Sequence, residues 1–238
     1  MQAKDLMIDL DKYASDSDAI FLQRFFKTGP GEYGEGDIFI GVRVPENRKV
    51  CKDYINLALD EVQKLLESKI HEHRLAGVYV LCYKCKKADE QEKQKIYDLY
   101  MQELLKGQIN NWDIVDMSCP TVVGKYLLDK KRDVLYTLAK SEKVWERRVA
   151  IISTFAFIQN YDFSTTIDIA DILLHDKHDL IQKAVGWMLR EVGKRIDENI
   201  LTDYLEKTAA TMPRTMLRYA CEKLSKDKKQ YFYNLKNI

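Results

Sequence analysis

The chain has 238 residues, with 38 Lys and Arg against 37 Asp and Glu, 46% hydrophobic and 32% charged residues, ten Gly and four Pro. That length suits one large domain or two small ones, and the apolar content with a net charge of only +1 excludes an expanded, disordered chain. The longest apolar stretch, Val149 to Ile158, is broken by Ser153 and Thr154 and falls short of the roughly 20 residues of a membrane span.

Taken in order, Met1 to Asp11 is acidic and helix-like, without the basic start and apolar run of a signal peptide, so a cytoplasmic location is expected. Residues 1–20 carry a net charge of −3. Gly29, Pro30, Gly31, Gly34, Gly36, Gly41 and Pro45 then gather half of all glycines and half of the prolines into 17 residues, which predicts one long loop, with Asp37 to Val44 briefly extended. Its acidic residues Glu32, Glu35 and Asp37, with no Gly-Lys-Ser/Thr following, argue against a phosphate cradle.

Beyond the loop, single breakers (Gly77, Gly107, Pro120, Gly124, Gly186, Gly193, Pro213) recur at about helix length, and apolar residues fall three and four apart between them. The prediction is an all-α chain. Four segments share a basic residue followed by an apolar stretch, at Arg74, Arg148, Lys183 and Arg214. Their separations are 74 (twice 37), 35 and 31 residues, and a step of 37 from Arg74 reaches Asn111, where another apolar helix begins. A helix pair every 31 to 37 residues is the pattern of an α-solenoid, whose concave face is formed by one helix from each pair, although a helical bundle can produce such spacings by chance. A single repeat domain over 1–238 is expected, with N-terminal helices and the Gly-rich loop over about 1–45 and repeats over about 46–238.

Three groups of residues could carry chemistry. Trp112 and Asp116 stand four apart and so share a helical face. Asp113 reads as a first-turn acid favoured by the helix dipole. Asp116, one turn further in, needs a partner or a task if it is buried, or else is a surface acid bonded to a nearby lysine. Arg147 and Arg148 open the apolar helix that runs to Ile158, and one of them should face the concave side. On the helix from about Asp179 to Arg195, Ile181, Ala184, Met188 and Val192 hold core spacing while Lys183, Trp187, Arg190 and Lys194 share another face. Trp187 among three cations either packs on a neighbouring repeat or meets a ligand. Residues 207–238 carry a net charge of +6, including Arg214 and Arg218, which is either a solvated end or part of an anion-binding face.

An aromatic pair beside a carboxylate suits a cationic aromatic ligand, since each aromatic face attracts a cation by about 0.5–2 kcal/mol. An adjacent arginine would hold a phosphate through paired hydrogen bonds. Together they fit an N-glycosidic bond in DNA whose base is already alkylated and charged.

At these residues the sequence resembles the DNA alkylation repair enzyme family, the AlkD-like HEAT-repeat DNA glycosylases. The resemblance rests on Phe39 to Pro45 with Arg48, on Trp112 to Asp116, on Trp145 to Ile151, and most specifically on Ile181 to Glu191. It implies an α-solenoid superhelix of HEAT-like helix pairs whose basic concave face cradles double-stranded DNA, and a metal-free, cofactor-free, monofunctional excision of N3- and N7-alkylated purines, without extrusion of the base into a deep pocket. It assigns the catalytic carboxylate to Asp116, the two lesion-flanking tryptophans to Trp112 and Trp187, and the active-site arginine to Arg148. The DNA-binding candidates are Arg147, Lys183, Arg190, Lys194, Arg214 and Arg218, and a monomer is expected. Asn111 stands where some members carry a second aromatic, and the Gly29 to Asp37 loop is longer than in those members. Paralogues that bind branched DNA without activity exist in the family, and retention of all four site residues favours an enzyme. A non-catalytic binder of damaged or branched DNA, or a HEAT-type protein scaffold, would share the same architecture.

The five cysteines, an odd number, point to reduced thiols. Cys82 and Cys85 with His71 and His73 match no structural zinc spacing, and residues 71 and 73 point about 200° apart on a helix. His175 and His178 flank Asp176 in an expected interhelical turn.

Overall fold

The computed structural model describes residues 1–235, and the regular structure among them is helical apart from one parallel bridge between Ile38 and Ile70. Among the described residues no helix is long and apolar enough to cross a membrane. The chain divides into two compact units, residues 1–122 and 123–238.

The first unit opens with α1 (Ala3–Asp11) and α2 (Asp16–Phe25). Ser15 caps α2 by accepting from the Asp18 amide, and the acids Asp16 and Asp18 sit in its first turn, where the helix dipole favours them. No residue of α2 is fully buried. The loop that follows closes on its own acids: Glu32 accepts from the Gly29 amide at 2.9 Å and Glu35 from the Gly31 amide at 2.9 Å. Those carboxylates spend their lone pairs on loop amides. At Gly41 (φ +80°) a Cβ would fall 2.0 Å from the Ser15 carbonyl oxygen, so only glycine fits where the loop crosses the start of α2.

Next come α3 (Val44–Asp53), α4 (Leu59–Leu66), α5 (His71–Cys85), α6 (Glu90–Lys106) and α7 (Trp112–Cys119). Helix α5 is the axis of this unit. It is buried from His71 through Cys82, including His71, Glu72, His73 and Arg74, and it packs against α3, α4, α6 and α7. Four polar residues open this buried helix because each finds a partner outside it: Glu72 accepts from the amides of Ile40, Gly41 and Val42, at 2.8 Å from Gly41, and His73 meets Ser68 Oγ at 3.0 Å. Helix α6 ends on Gly107 in the left-handed conformation, a standard C-terminal stop.

The second unit follows a π-helical turn at Pro120–Gly124 and holds α8 (Asp133–Ala139), α9 (Val144–Ser153), α10 (Phe155–Ile158), α11 (Ser164–Ile172), α12 (Asp179–Arg195), α13 (Glu198–Thr208), α14 (Arg214–Ala220) and, after a 3₁₀ turn, α15 (Lys226–Asn234). Here α12 is the axis, packed by α9, α10, α11, α13 and α14. His178 caps it by accepting from the Leu180 amide, which makes His178 part of a capped turn.

Two expectations change. Gly77, Gly186 and Gly193 do not punctuate the chain; they lie inside α5 and α12. At Gly186 a Cβ would stand 2.4 Å from the Met216 carbonyl oxygen and 2.6 Å from the Tyr219 Cβ, so the glycine serves close approach of α14 to α12 and not a turn. The apolar helix from Arg147 to Ile158 is also two pieces, α9 and α10, separated at Thr154.

Candidate functional site

Helix α7 begins at an unusual residue. Asn111 has φ +74° and ψ 145°, a conformation that costs a non-glycine residue about 1–3 kcal/mol. It is held there by two side-chain bonds: its Oδ1 accepts from the Trp112 amide at 2.9 Å and its Nδ2 donates to Asp37 at 3.1 Å. The polar residue preceding Trp112 is therefore both a helix cap and an anchor to the Gly-rich loop.

Trp112 and Asp116, one turn apart, both line a cavity of about 730 Å³. Both are half-buried. Much of the remaining wall is apolar and aromatic: Phe21, Phe25, Phe26, Phe39 and Tyr79. Phe26 stacks on Trp112 with ring centres 5.2 Å apart and planes 17° apart, and Phe25 meets Trp112 edge-on at 5.9 Å. Phe21 and Phe25, stacked on each other at 6.2 Å, are 63% and 54% exposed and leave ring surface open to solvent at the cavity's edge. Arg43 and Asp18 close a two-bond ion pair on the same wall at 2.8 and 2.9 Å.

Behind the aromatic wall lies a buried ionic network. Asp37, the last acid of the Gly-rich loop, accepts from Arg74 at 2.5 Å, from His71 Nδ1 at 3.1 Å and from Asn111 at 3.1 Å. His71 Nε2 donates to Asp113 at 2.9 Å. Burial opposes a charge on His71, but the charge and hydrogen bond of Asp113 and the hydrogen bond of Asp37 outweigh it and raise the pKa from 6.5 to about 9. The two flanking carboxylates therefore favour the imidazolium form of His71 at neutral pH. Burial likewise opposes a charge on Asp37, yet its bond to His71 and the charge of Arg74 hold its carboxyl below the ordinary value.

Asp113 is thus more than a first-turn acid: it is a fixed partner of His71. Arg74 also departs from expectation, since this repeat-register cation is 3% exposed and committed to Asp37, Asn110 and the Ser68 carbonyl. Sequence reasoning missed Phe25, Phe26 and the Asp37–His71–Asp113 chain. The adjacent Phe25-Phe26 pair at the border of the Gly-rich loop was the available signal.

The remaining predicted residues lie in the second unit. Arg148 is 5% exposed and donates to the Leu180 carbonyl. Arg147 donates to Asp176 at 2.7 Å and to the Ser141 and Glu142 carbonyls. Trp187 is half-buried, with its ring 6.3 Å from that of Phe155, so it does pack on a neighbouring helix. Lys183 pairs with Asp179 at 2.7 Å, and Arg190 pairs with Glu222 and Glu191. Arg214 donates to the Tyr233 carbonyl at 3.0 Å, while Lys194 and Arg218 are exposed. Two cations of the shared face of α12, Lys183 and Arg190, therefore already hold acids. Among the described residues no group of three or more His, Cys, Asp or Glu side chains is placed to hold a metal ion. His71 and His73 turn to separate partners.

The family model described as DNA alkylation repair enzyme matches residues 6–224. A solved chain described as "Predicted DNA alkylation repair enzyme from Enterococcus faecalis" shares the fold, with a TM-score of 0.70 at 15% identity, covering 90% of this chain and 97% of that one. No curated protein matches this chain. With nearly its whole length inside the family model, the chain belongs to the DNA alkylation repair enzyme family, and its role lies in the repair of alkylated DNA.

Proposed function

We propose that the protein is a monofunctional DNA glycosylase that hydrolyses the N-glycosidic bond of cationic N3- or N7-alkylated purines in double-stranded DNA. The observation that carries this reading is the pairing of Trp112 and Asp116 on one wall of an aromatic cavity. An alkylated purine carries a positive charge, and ring faces such as that of Trp112 attract it. As the bond from C1′ to the base nitrogen breaks, its electron pair leaves with the base and neutralises it, and positive charge moves to the sugar. A carboxylate about 4 Å from that charge contributes roughly 4 kcal/mol at an effective dielectric of 20. Applied only in the transition state, this is about a thousandfold in rate.

Water then adds to C1′ and releases a proton, and Asp116 orients that water. The family resemblance adds Trp187 as a second lesion-flanking ring and Arg148 as a phosphate ligand, with Arg147, Lys183, Arg190, Lys194, Arg214 and Arg218 as backbone contacts. Arg147, Lys183, Arg190 and Arg214 would exchange the intramolecular partners described above for phosphate oxygens. The enzyme would act as a monomer in the cytoplasm, with no metal or cofactor.

The test is to incubate the protein with duplex DNA carrying N7-methylguanine, to measure free base by chromatography, and to titrate binding against salt. Base release with binding that weakens as salt rises is the expected result. Salt-dependent binding without release would identify a non-catalytic DNA binder, and the absence of both would leave a protein scaffold.

A further inference from the structure

The ionic network behind the cavity touches α7 by two independent routes. The first is direct: the imidazole of His71 bonds Asp113, the residue next to Trp112 and one turn before Asp116. The second runs through rings. His71 is stacked against Phe39 at 4.5 Å and lies 5.0 Å from Phe26, and Phe26 in turn stacks on Trp112 at 5.2 Å. A cationic imidazole attracts both phenyl faces, so its charge tightens the ring column as well as the carboxylate bridge.

We propose that His71, as a buried imidazolium held between Asp37 and Asp113, is a positioning residue that fixes the Trp112 ring and the first turn of α7. This deepens the glycosylase reading, because α7 also carries Asp116. The charge balance shows why the proton matters. Asp37 and Asp113 are matched by His71 and Arg74, two negative charges against two positive. Removing the proton from His71 leaves one carboxylate without its donor in a buried setting, where an unpaired charge is costly.

Other charged groups do not replace it. From α5 itself, Arg74 is committed to Asp37 and Glu72 to the amides of the loop. From the cavity wall, Asp18 and Arg43 pair with each other, and Arg48 lies over the Tyr79 ring at 5.1 Å. Asp116 lines the same wall. The folded pKa of His71 lies above its ordinary value of 6.5, so the stability it contributes is fully present below about pH 6.5 and lost as the pH rises through about 9, while the ordering within the folded protein follows the folded pKa alone.

The test follows the histidine and tryptophan side chains of the full-length protein by nitrogen-15 NMR from pH 6 to 10. The Trp112 indole signal is assigned by its disappearance in Trp112→Phe, and the His71 signals by their disappearance in His71→Gln. The expected result is that both His71 ring nitrogens remain protonated at pH 7.5, that they titrate with a midpoint near 9, and that the Trp112 indole shifts with the same midpoint while those of Trp145 and Trp187 do not. A His71 midpoint at or below 6.5, or a Trp112 signal that ignores the His71 titration, overturns the proposal. Asp113→Asn provides a second arm in which the His71 midpoint should fall by at least one pH unit; an unchanged midpoint would also overturn it. None of these signals needs DNA, so they stand or fall apart from base release. If the wild-type protein does release base, its single-turnover rate should fall about tenfold in folded His71→Gln with DNA affinity within about twofold. An unchanged rate there would remove the positioning role.

Discussion

Asp37→Asn removes one charge and changes no volume, which makes it the sharpest probe of how the Gly-rich loop supports the site. In the wild-type protein, Asp37 is buried and accepts three hydrogen bonds, from Arg74, His71 and Asn111. An asparagine offers one carbonyl oxygen in place of two carboxylate oxygens, and its amide group would face donors. Removing one member of a buried ion pair costs about 3–5 kcal/mol. Arg74 keeps its bonds to the Ser68 carbonyl and Asn110, and His71 keeps Asp113, so the lower end, about 3 kcal/mol, is the expected loss. For a chain of this size that is a fall in Tm of about 6–12 °C. Urea titration followed by circular dichroism measures the loss, and hydrogen exchange locates it: protection should drop in α5 and α7 and stay unchanged in α12. The pH dependence has a definite sign. Because the Asp37 carboxyl is held below its ordinary value of 3.8, its contribution is present above that value and fades as the pH falls below it. The gap between wild type and variant should thus be steady from pH 5 to 7.5 and narrow below about pH 4. A loss under about 1 kcal/mol, or exchange effects spread equally over α12, would refute the network as the anchor of α7.

Phe26→Ala should cost about 3–4 kcal/mol, since it empties the centre of a cluster formed with Phe25, Phe39, His71 and Trp112, and should also slow base release; thermal melting with the release assay checks both. Phe25→Ala, at a ring 54% exposed, should change stability by less than about 1 kcal/mol, so any effect on release would come from the cavity face it presents. In the second unit, Gly186→Ala should destabilise by about 2–3 kcal/mol in urea, because the added methyl meets the Met216 carbonyl oxygen at 2.4 Å; a neutral result would mean that α14 shifts freely on α12.

Much of the helical layout was legible because burial writes itself into spacing. Ile181, Ala184, Met188 and Val192 at core intervals marked α12 over Asp179–Arg195, and Asn111 marked the start of α7. The pairing of Trp112 and Asp116 on one face was legible for the same reason, since a step of four residues fixes direction from a helix. What periodicity does not carry is the identity of the neighbour. The polar opening of α5, His71-Glu72-His73-Arg74, offers in the sequence only a repeat-register cation and two histidines that cannot converge, because its partners, Asp37 and the loop amides, arrive from more than 30 positions away. Asp113 was read as a dipole acid because its partner, 42 residues earlier, lies on another helix. The cations of α12 share a face as expected, but Asp179, Glu191 and Glu222 already occupy three of the interactions that a bare spacing leaves open. Glycine position was the weakest guide: Gly107 ends a helix, while Gly186 lies within one to admit a neighbour.

The most direct test of the account is single-turnover release of N7-methylguanine from duplex DNA by wild-type protein and by Asp116→Asn, with binding measured on the same DNA. The account predicts release by the wild type, a loss of about a thousandfold in the variant, and affinity for the DNA that changes by less than about threefold. Release by Asp116→Asn at the wild-type rate would contradict it.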